Sequence, residues 1–306
     1  MRTHINHPSR RSFIRATALG AGALVTAPSL LRTGLAAATA RTVEDRITLG
    51  RTGIKASFLA QGTGYNGYDQ TSAQTRAGKE SFDRLVRTSL DRGVNFMDMA
   101  DLYGSHPFVR DVVKGIQRDR LVMLSKIWPT ETTWNKPSGG AVPEVERFLK
   151  ELDTDHLDIC LIHCMTNDRW AAAYEHIRDE LATLKQQGKV RAVGVSCHDF
   201  GALKVAAEHP WVDVILARIN HKGGKEYSCD ASVEELMPVL KQARANGKVV
   251  LGMKIFGAGK LTSPEDKDAS LKFVVENGLV DAITIGTTDP GQVEDTVARV
   301  NKALAA

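Results

Sequence analysis

The 306 residues are 42% hydrophobic and 25% charged, an ordinary globular make-up. The formal charge of +4 misleads, because residues 1–40 hold five arginines (Arg2, Arg10, Arg11, Arg15, Arg32) and neither lysine nor acid. Taking those five from the chain's 40 Lys and Arg leaves 35 bases against 36 acids, a net of −1, which excludes a nucleic-acid surface on the body of the protein.

In chain order the first feature is a leader. Ser9-Arg-Arg-Ser-Phe-Ile-Arg15 precedes a mildly apolar stretch, Ala16 to Leu31, and Ala38-Thr-Ala40 offers a small-x-small cleavage site. Paired arginines before a weakly apolar run resemble a twin-arginine export signal. The stretch carries Gly, Thr, Pro and Ser and is short for a membrane span, so an anchor is the weaker reading. The expected layout is a signal peptide over 1–40 and one domain over 41–306. The expected partner is the export machinery and the expected location the periplasm, with no stable span after cleavage.

Beyond the leader, Arg46 to Lys55 predicts a small hairpin. Short apolar runs then recur at Ser57 to Gln61, Val94 to Asp98, Arg120 to Lys126, Leu157 to Ile162, Val190 to Val195, Val212 to Ile219, Val249 to Lys254 and Asp281 to Gly286. Several are rich in Val and Ile and lack strict alternation, as buried parallel strands do. Helical patterns lie between them: Glu80 to Arg92, Val142 to Leu152 with Pro143 in its first turn, Ala171 to Gln187, Ser232 to Asn246 and Pro290 to Leu304. Ser232 and Glu235 make a capping box, and Gly93, Gly188 and Gly247 stand as stops. Eight strand–helix units in about 250 residues predict an α/β fold, a single (β/α)₈ TIM barrel. An open doubly wound sheet is the alternative, but no Gly-x-Gly-x-x-Gly follows an early strand. The four cysteines (Cys160, Cys164, Cys197, Cys229) are expected to be free thiols. Cys160 and Cys164 straddle a strand end, too far apart for a bridge at roughly 3.3 Å per residue.

In a TIM barrel the chemistry gathers at the C-terminal strand ends. Asp98, Lys126, His163, Ser196, Asn220 and Lys254 all fall there, with Tyr103 a few residues past Asp98. A cation beside a phenol, with a carboxylate to hold the cation, is a proton-donating device. Taken singly, each has a plainer account: a rim tyrosine, a solvated lysine, a loop-capping aspartate, a core histidine. Their joint placement at successive strand ends favours the functional account.

From about Arg46 to Arg299 the chain resembles the aldo-keto reductases. The segments that carry the resemblance are Leu49-Gly-Arg-Thr-Gly-Ile-Lys55, Gly93-Val-Asn-Phe-Met-Asp-Met-Ala-Asp-Leu-Tyr-Gly104, Leu124-Ser-Lys126, Leu157-Asp-Ile-Cys-Leu-Ile-His163 and Gly188-Lys-Val-Arg-Ala-Val-Gly-Val-Ser196. The resemblance implies an oxidoreductase passing a hydride from NADP or NAD to a small aldehyde or ketone, sugar-like ones included. Asp98, Tyr103, Lys126 and His163 match its Asp, Tyr, Lys, His tetrad. Tyr103 would be the general acid. A free tyrosine has a pKa of about 10, and Lys126, held by Asp98, is expected to lower it. His163 would orient the substrate oxygen.

The cofactor contacts implied by the resemblance depart from the family in places. Ser196 matches the carboxamide-binding serine, but the next residue, an Asn in the family, is Cys197. The usual Gln falls at Leu216, and the aromatic that stacks on nicotinamide at Ile219. Lys254 could reach a pyrophosphate, and the Gly257-Ala-Gly259 turn resembles the glycine loop after the seventh strand. Gly286 and Gln292 match the adenosine-binding segment. Thr288 replaces the arginine that would clamp a 2′-phosphate, which weakens NADP against NAD. Trp128 and Trp134 are expected to shape the substrate pocket, and the end of the chain at Ala306 to leave it fairly open. Two other functional readings stay open. One is a metal-assisted isomerase or lyase, drawing on His163, Cys197, His198 and His221. The other is a barrel that binds a ligand without catalysis.

Overall fold

The structure, a computed structural model, describes residues 42–130 and 140–306. The expected leader and Trp134 lie outside the described residues. The chain opens with a two-stranded antiparallel hairpin, β1 (Ile47–Thr48) and β2 (Lys55–Ala56). It buries Ile47, Leu49, Ile54 and Ala56.

Eight parallel strands then close a barrel: β3 (Leu59–Gly62), β4 (Phe96–Asp98), β5 (Val122–Ile127), β6 (Leu157–Met165), β7 (Val190–Cys197), β8 (Val214–Arg218), β9 (Val249–Met253) and β10 (Ala282–Ile285). Strand order follows chain order, and β10 pairs back onto β3 through Ile283, Thr284 and Ile285. All eight predicted runs are strands, and the fold is the (β/α)₈ barrel. Strands buried on both faces need apolar side chains throughout, which is why Val and Ile runs without alternation marked them. Inside the barrel, Ala60, Phe96, Leu124, Leu216 and Leu251 meet beneath Asp98 and Thr284. The interior is therefore a filled floor, and polar chemistry is confined to the mouth.

The helices, in order, are α1 (Ala73–Arg76), α2 (Lys79–Asp91), α3 (His106–Val113), α4 (Ala141–Leu152), α5 (Trp170–Ala173), α6 (Glu175–Gln186), α7 (Phe200–Glu208), α8 (Val233–Ala245), α9 (Pro264–Glu276) and α10 (Pro290–Leu304). The capping box of α8 forms through Ser232 and Glu235, as expected. The predicted helix 171–187 is instead two. At Tyr174 the backbone (φ −114, ψ 32) leaves the helical region, and the Arg178 Nε–H donates to the Ala171 carbonyl at 2.9 Å. A side chain takes the carbonyl that a continuous helix would have used for its own backbone. All four cysteines are free thiols.

Candidate active site

Four side chains from three consecutive strands and one turn meet at the barrel mouth. Asp98 ends β4 and Lys126 lies near the end of β5, and register pairs Asp98 with Leu124, one side-chain step below Lys126. Strand alternation therefore turns both side chains to the same side. The Lys126 ammonium donates to Asp98 Oδ1 and, at 2.7 Å, to the Met99 carbonyl. The second carboxylate oxygen accepts from the Thr284 hydroxyl at 2.7 Å, across the barrel seam from β10. Lys126 is 1% exposed and Asp98 6%. A buried ion pair is tolerated only when its remaining hydrogen-bonding capacity is also satisfied, and Thr284 and Met99 do that here.

Tyr103 is carried by the turn after β4, residues 101–103. Gly104 ends that turn with φ +58, and a side chain there would drive its Cβ to 1.9 Å from the Gln70 carbonyl oxygen. The turn is anchored by Asp101, which accepts from Gln70 Nε2 at 2.9 Å and from Arg147 at 2.8 Å. Lys126 Nζ lies 4.9 Å from the centre of the Tyr103 ring. The His163 ring stands edge-on to it at 5.7 Å. Gly64 and Gly67 make room for that phenol. A Cβ on Gly64 would sit 2.3 Å from the ring, and one on Gly67 2.6 Å.

The electrostatics correct one expectation. Tyr103 is only half-buried as a residue, yet removing the phenol from water raises its pKa above the usual value. The Lys126 charge and hydrogen bond pull it down without overcoming that burial, and Asp98 adds to the rise. Lys126 shows the opposite balance. Burial disfavours its charge, but Asp98 and Tyr103 together hold its pKa above the ordinary range. His163 is 4% exposed, and burial, reinforced by Lys126, His198 and Lys254, drives its pKa well below the usual range. Its ring is neutral at pH 7, and its Nδ1 is buried with no partner among the described residues.

These groups occupy one end of a cavity of about 390 Å³. The cavity runs from Asp98, Tyr103, Lys126 and His163 past Ser196 and Lys254, then over Gly259, to the start of α10 at Gly286, Thr288 and Gln292. Ser196 is buried and its hydroxyl accepts from the Cys164 amide at 2.8 Å. Lys254 adopts φ +59, a left-handed backbone that a lysine takes only under constraint. Its ammonium makes no hydrogen bond or ion pair among the described residues. Burial, then the neighbouring Arg218 and Lys126 charges, lower its pKa.

Two expected cofactor residues do not reach this cavity. Cys197 is fully buried because strand alternation turns it away from the face that Ser196 presents. Gly257 is buried under the loop, while Ala258 and Gly259 line the cavity. Trp128 packs edge-on against His163 at 5.4 Å without lining the cavity. Leu216 lines it, whereas Ile219 is fully buried elsewhere. Among the described residues no three His, Cys, Asp or Glu side chains are arranged to share a metal ion. His163 and His198 stand 6.3 Å apart, and His221 faces Asp266 at 3.5 Å.

Several contributors were not singled out from sequence. Thr284 is a strand-end hydroxyl, and its signal was its position in the eighth apolar run. Tyr65 and Met253 line the cavity; His198, named from sequence only for the metal-assisted reading, lines it beside His163. Behind the β5 strand, His106 bridges Ser125 at 2.7 Å and Glu151 at 2.8 Å. That link supports the backbone next to Lys126.

The Aldo/keto reductase family profile matches residues 61–277. The methylglyoxal reductase YeaE of Escherichia coli (strain K12) is 28% identical over 151 residues, 48% of this chain and 47% of that protein. The glyoxal reductase of Bacillus subtilis (strain 168) is 28% identical over 113 residues, 36% of this chain and 38% of that one. The chain thus spans less than half the length of these two relatives. A solved Pseudomonas aeruginosa structure assigned to the aldo-keto reductases superposes with a TM-score of 0.70 at 26% identity, covering 86% of this chain and 97% of the other.

Proposed function

The chain belongs to the aldo/keto reductase family, and from that premise we propose that it reduces a small aldehyde or ketone with NADH or NADPH, Tyr103 donating the proton. The observation that carries this reading is the Asp98–Lys126 pair buried beside the Tyr103 ring and His163 in a cavity that also reaches the start of α10.

The residues present fit a dinucleotide. The tetrad lines one part of the cavity and the start of α10 another, so the reactive ring would lie over Leu216 and Met253 near the tetrad, with the adenosine toward α10. Between them Lys254 offers an unpaired ammonium in a half-buried position, where an isolated charge is costly until an anion arrives. A pyrophosphate would meet that need. Ser196 would bind the carboxamide. When bound, the cofactor supplies the hydride.

The protein's own part is the proton. A carbonyl oxygen lodged between Tyr103 and His163 gains negative charge as the hydride arrives. Tyr103 keeps its proton at neutral pH, since the ordinary phenol pKa of about 10 is already well above it and burial raises it further, and so it is present as the acid. A phenol is still a far stronger acid than the alcohol being made. Lys126 stabilises the phenolate left behind, and Asp98, fixed by Thr284, keeps Lys126 charged and in place. His163 is neutral, so it can orient the oxygen with an N–H without bringing a competing charge. The relatives named for methylglyoxal and glyoxal reduction make small dicarbonyls the first substrates to try. The test is loss of near-ultraviolet absorbance of NADH or NADPH on adding these and other carbonyls to the purified chain. No turnover across the panel together with no nucleotide binding would refute the reading.

We also propose that residues 1–40 direct export by the twin-arginine route, on the strength of their paired arginines and lack of acids. No helix among the described residues is long and apolar enough to cross a membrane. Fractionation of expressing cells and N-terminal sequencing of the mature form test it; a cytoplasmic, uncleaved product that Arg10→Lys with Arg11→Lys leaves unchanged would refute it.

A further inference from the structure

NADP differs from NAD by one phosphate on the adenosine ribose, a group carrying up to two negative charges. The part of the cavity that would receive it, on the reading above, is the one lined by Gly286, Thr288 and Gln292 at the start of α10. What that end can offer a phosphate follows from where its cations already point.

Lys267 lines the cavity there and faces Asp295 at 3.5 Å. Arg299 is engaged twice over. Its Nε contacts both Asp295 oxygens, at 2.9 and 3.0 Å, and its Nη1 contacts Asp268. Lys302 is turned to Asp268 at 2.8 Å, Arg92 to Glu294 at 2.8 Å, and Lys260 to the Glu226 carbonyl. Every one of these cations is committed to a protein acceptor. Lys254 directly follows β9 and lines the same cavity; its ammonium, unpaired among the described residues, is the one assigned above to the pyrophosphate.

The helix terminus gives no help. The N-terminus of a helix normally welcomes an anion. Here Asp289 caps α10, accepting from the Gln292 amide at 3.0 Å, and Pro290 has no N–H to give. The Asp289 carboxylate has no cationic partner among the described residues. At Thr288 both the amide and the hydroxyl are occupied by Gln292 Oε1, at 3.0 and 3.2 Å. A phosphate here would meet an uncompensated carboxylate at the helix cap. It would also have to compete with Asp295 for Lys267. A ribose with two free hydroxyls can instead donate to carboxylate oxygens such as those of Asp295, which lines the cavity.

We propose, resting on the reductase reading above, that the α10 end of the cavity selects NADH over NADPH, with Thr288, Asp289 and Asp295 as the discriminating residues. The experiment is equilibrium binding of NADH and NADPH to the full-length chain, followed by quenching of tryptophan emission, with no carbonyl substrate present. NADH is expected to bind at least about tenfold more tightly. Thr288→Arg, which supplies a bidentate phosphate partner, is expected to tighten NADPH about tenfold and leave NADH within about threefold. Asp295→Asn, which frees Lys267 while Asp268 still holds Arg299, should shift the ratio the same way. Equal or tighter binding of NADPH by the natural chain overturns the inference and leaves the reductase reading standing. Failure of either nucleotide to bind overturns both.

Discussion

The two ends of the cavity are built differently. At the tetrad end the ion pair is buried and the groups that position it are held by several others. Lys126 is shared by Asp98 and Met99, Asp98 by Lys126 and Thr284, and the Tyr103 turn by Gln70 and Arg147. At the α10 end the lining residue Gln292 is exposed and Thr288 half-buried, and their bonds are local, spanning three or four residues. Long-range buried bonds fix geometry because no member can move without stranding a polar group, whereas local exposed bonds exchange with water at little cost. The tetrad end suits a reaction that tolerates little displacement, and the α10 end suits recognition by modest contacts.

Perturbing the two ends should therefore give very different responses. The largest is expected from Lys126→Met, which leaves Asp98 as a buried carboxylate with half its partners. Denaturant unfolding should show a loss of about 3–5 kcal/mol, with activity abolished. A change under about 1 kcal/mol would mean the pair is not buried as described.

Next comes Gly64→Ala. Its Cβ would land 2.3 Å from the Tyr103 ring, so the phenol must shift by about an ångström. Such misplacement costs about a hundredfold in kcat, with unfolding nearly unchanged. Kinetics within threefold of the natural chain would show that the ring position is not critical.

A pH dependence of stability tests the buried histidines. Burial, then Arg218, Lys254 and Lys126, lower His198 to about 3, and His163 also lies well below 6.5. Above pH 6.5 neither state is charged at these rings. As pH falls below that, the unfolded chain takes up protons that the native chain refuses, so stability drops, and for His198 the drop continues to about pH 3. Each ring contributes up to about 1.4 kcal/mol per pH unit. His198→Phe should flatten the slope of Tm between pH 6 and 4; an unaltered slope would show that His198 is not shielded. The smallest effect is expected from Gln292→Ala, which removes one exposed acceptor from Thr288. It should weaken nucleotide binding by about fivefold and leave kcat alone.

The same contrast explains what the sequence made legible. The barrel was readable because doubly buried strands require continuous apolar runs. Asp98, Lys126 and His163 were readable because a polar residue ending such a run has few structural excuses. The helices α3, α7 and α9 were not read from sequence. Of the thirteen residues of α9, only Ser270, Leu271 and Val274 are buried, too few to set a period. The rise in the Tyr103 pKa was also unreadable. It depends on how closely Gly64 and Gly67 bring the β3 loop onto the phenol, and on whether that desolvation outweighs one ammonium. Thr284 joins Asp98 across 186 positions of chain, a contact that only barrel closure creates.

The central claim is that Tyr103 delivers the proton. Tyr103→Phe keeps the ring and its packing and removes only the hydroxyl. Measured with NADH and methylglyoxal, kcat should fall about 10²- to 10⁴-fold while nucleotide affinity stays within twofold. Full turnover by the phenylalanine variant would contradict the account.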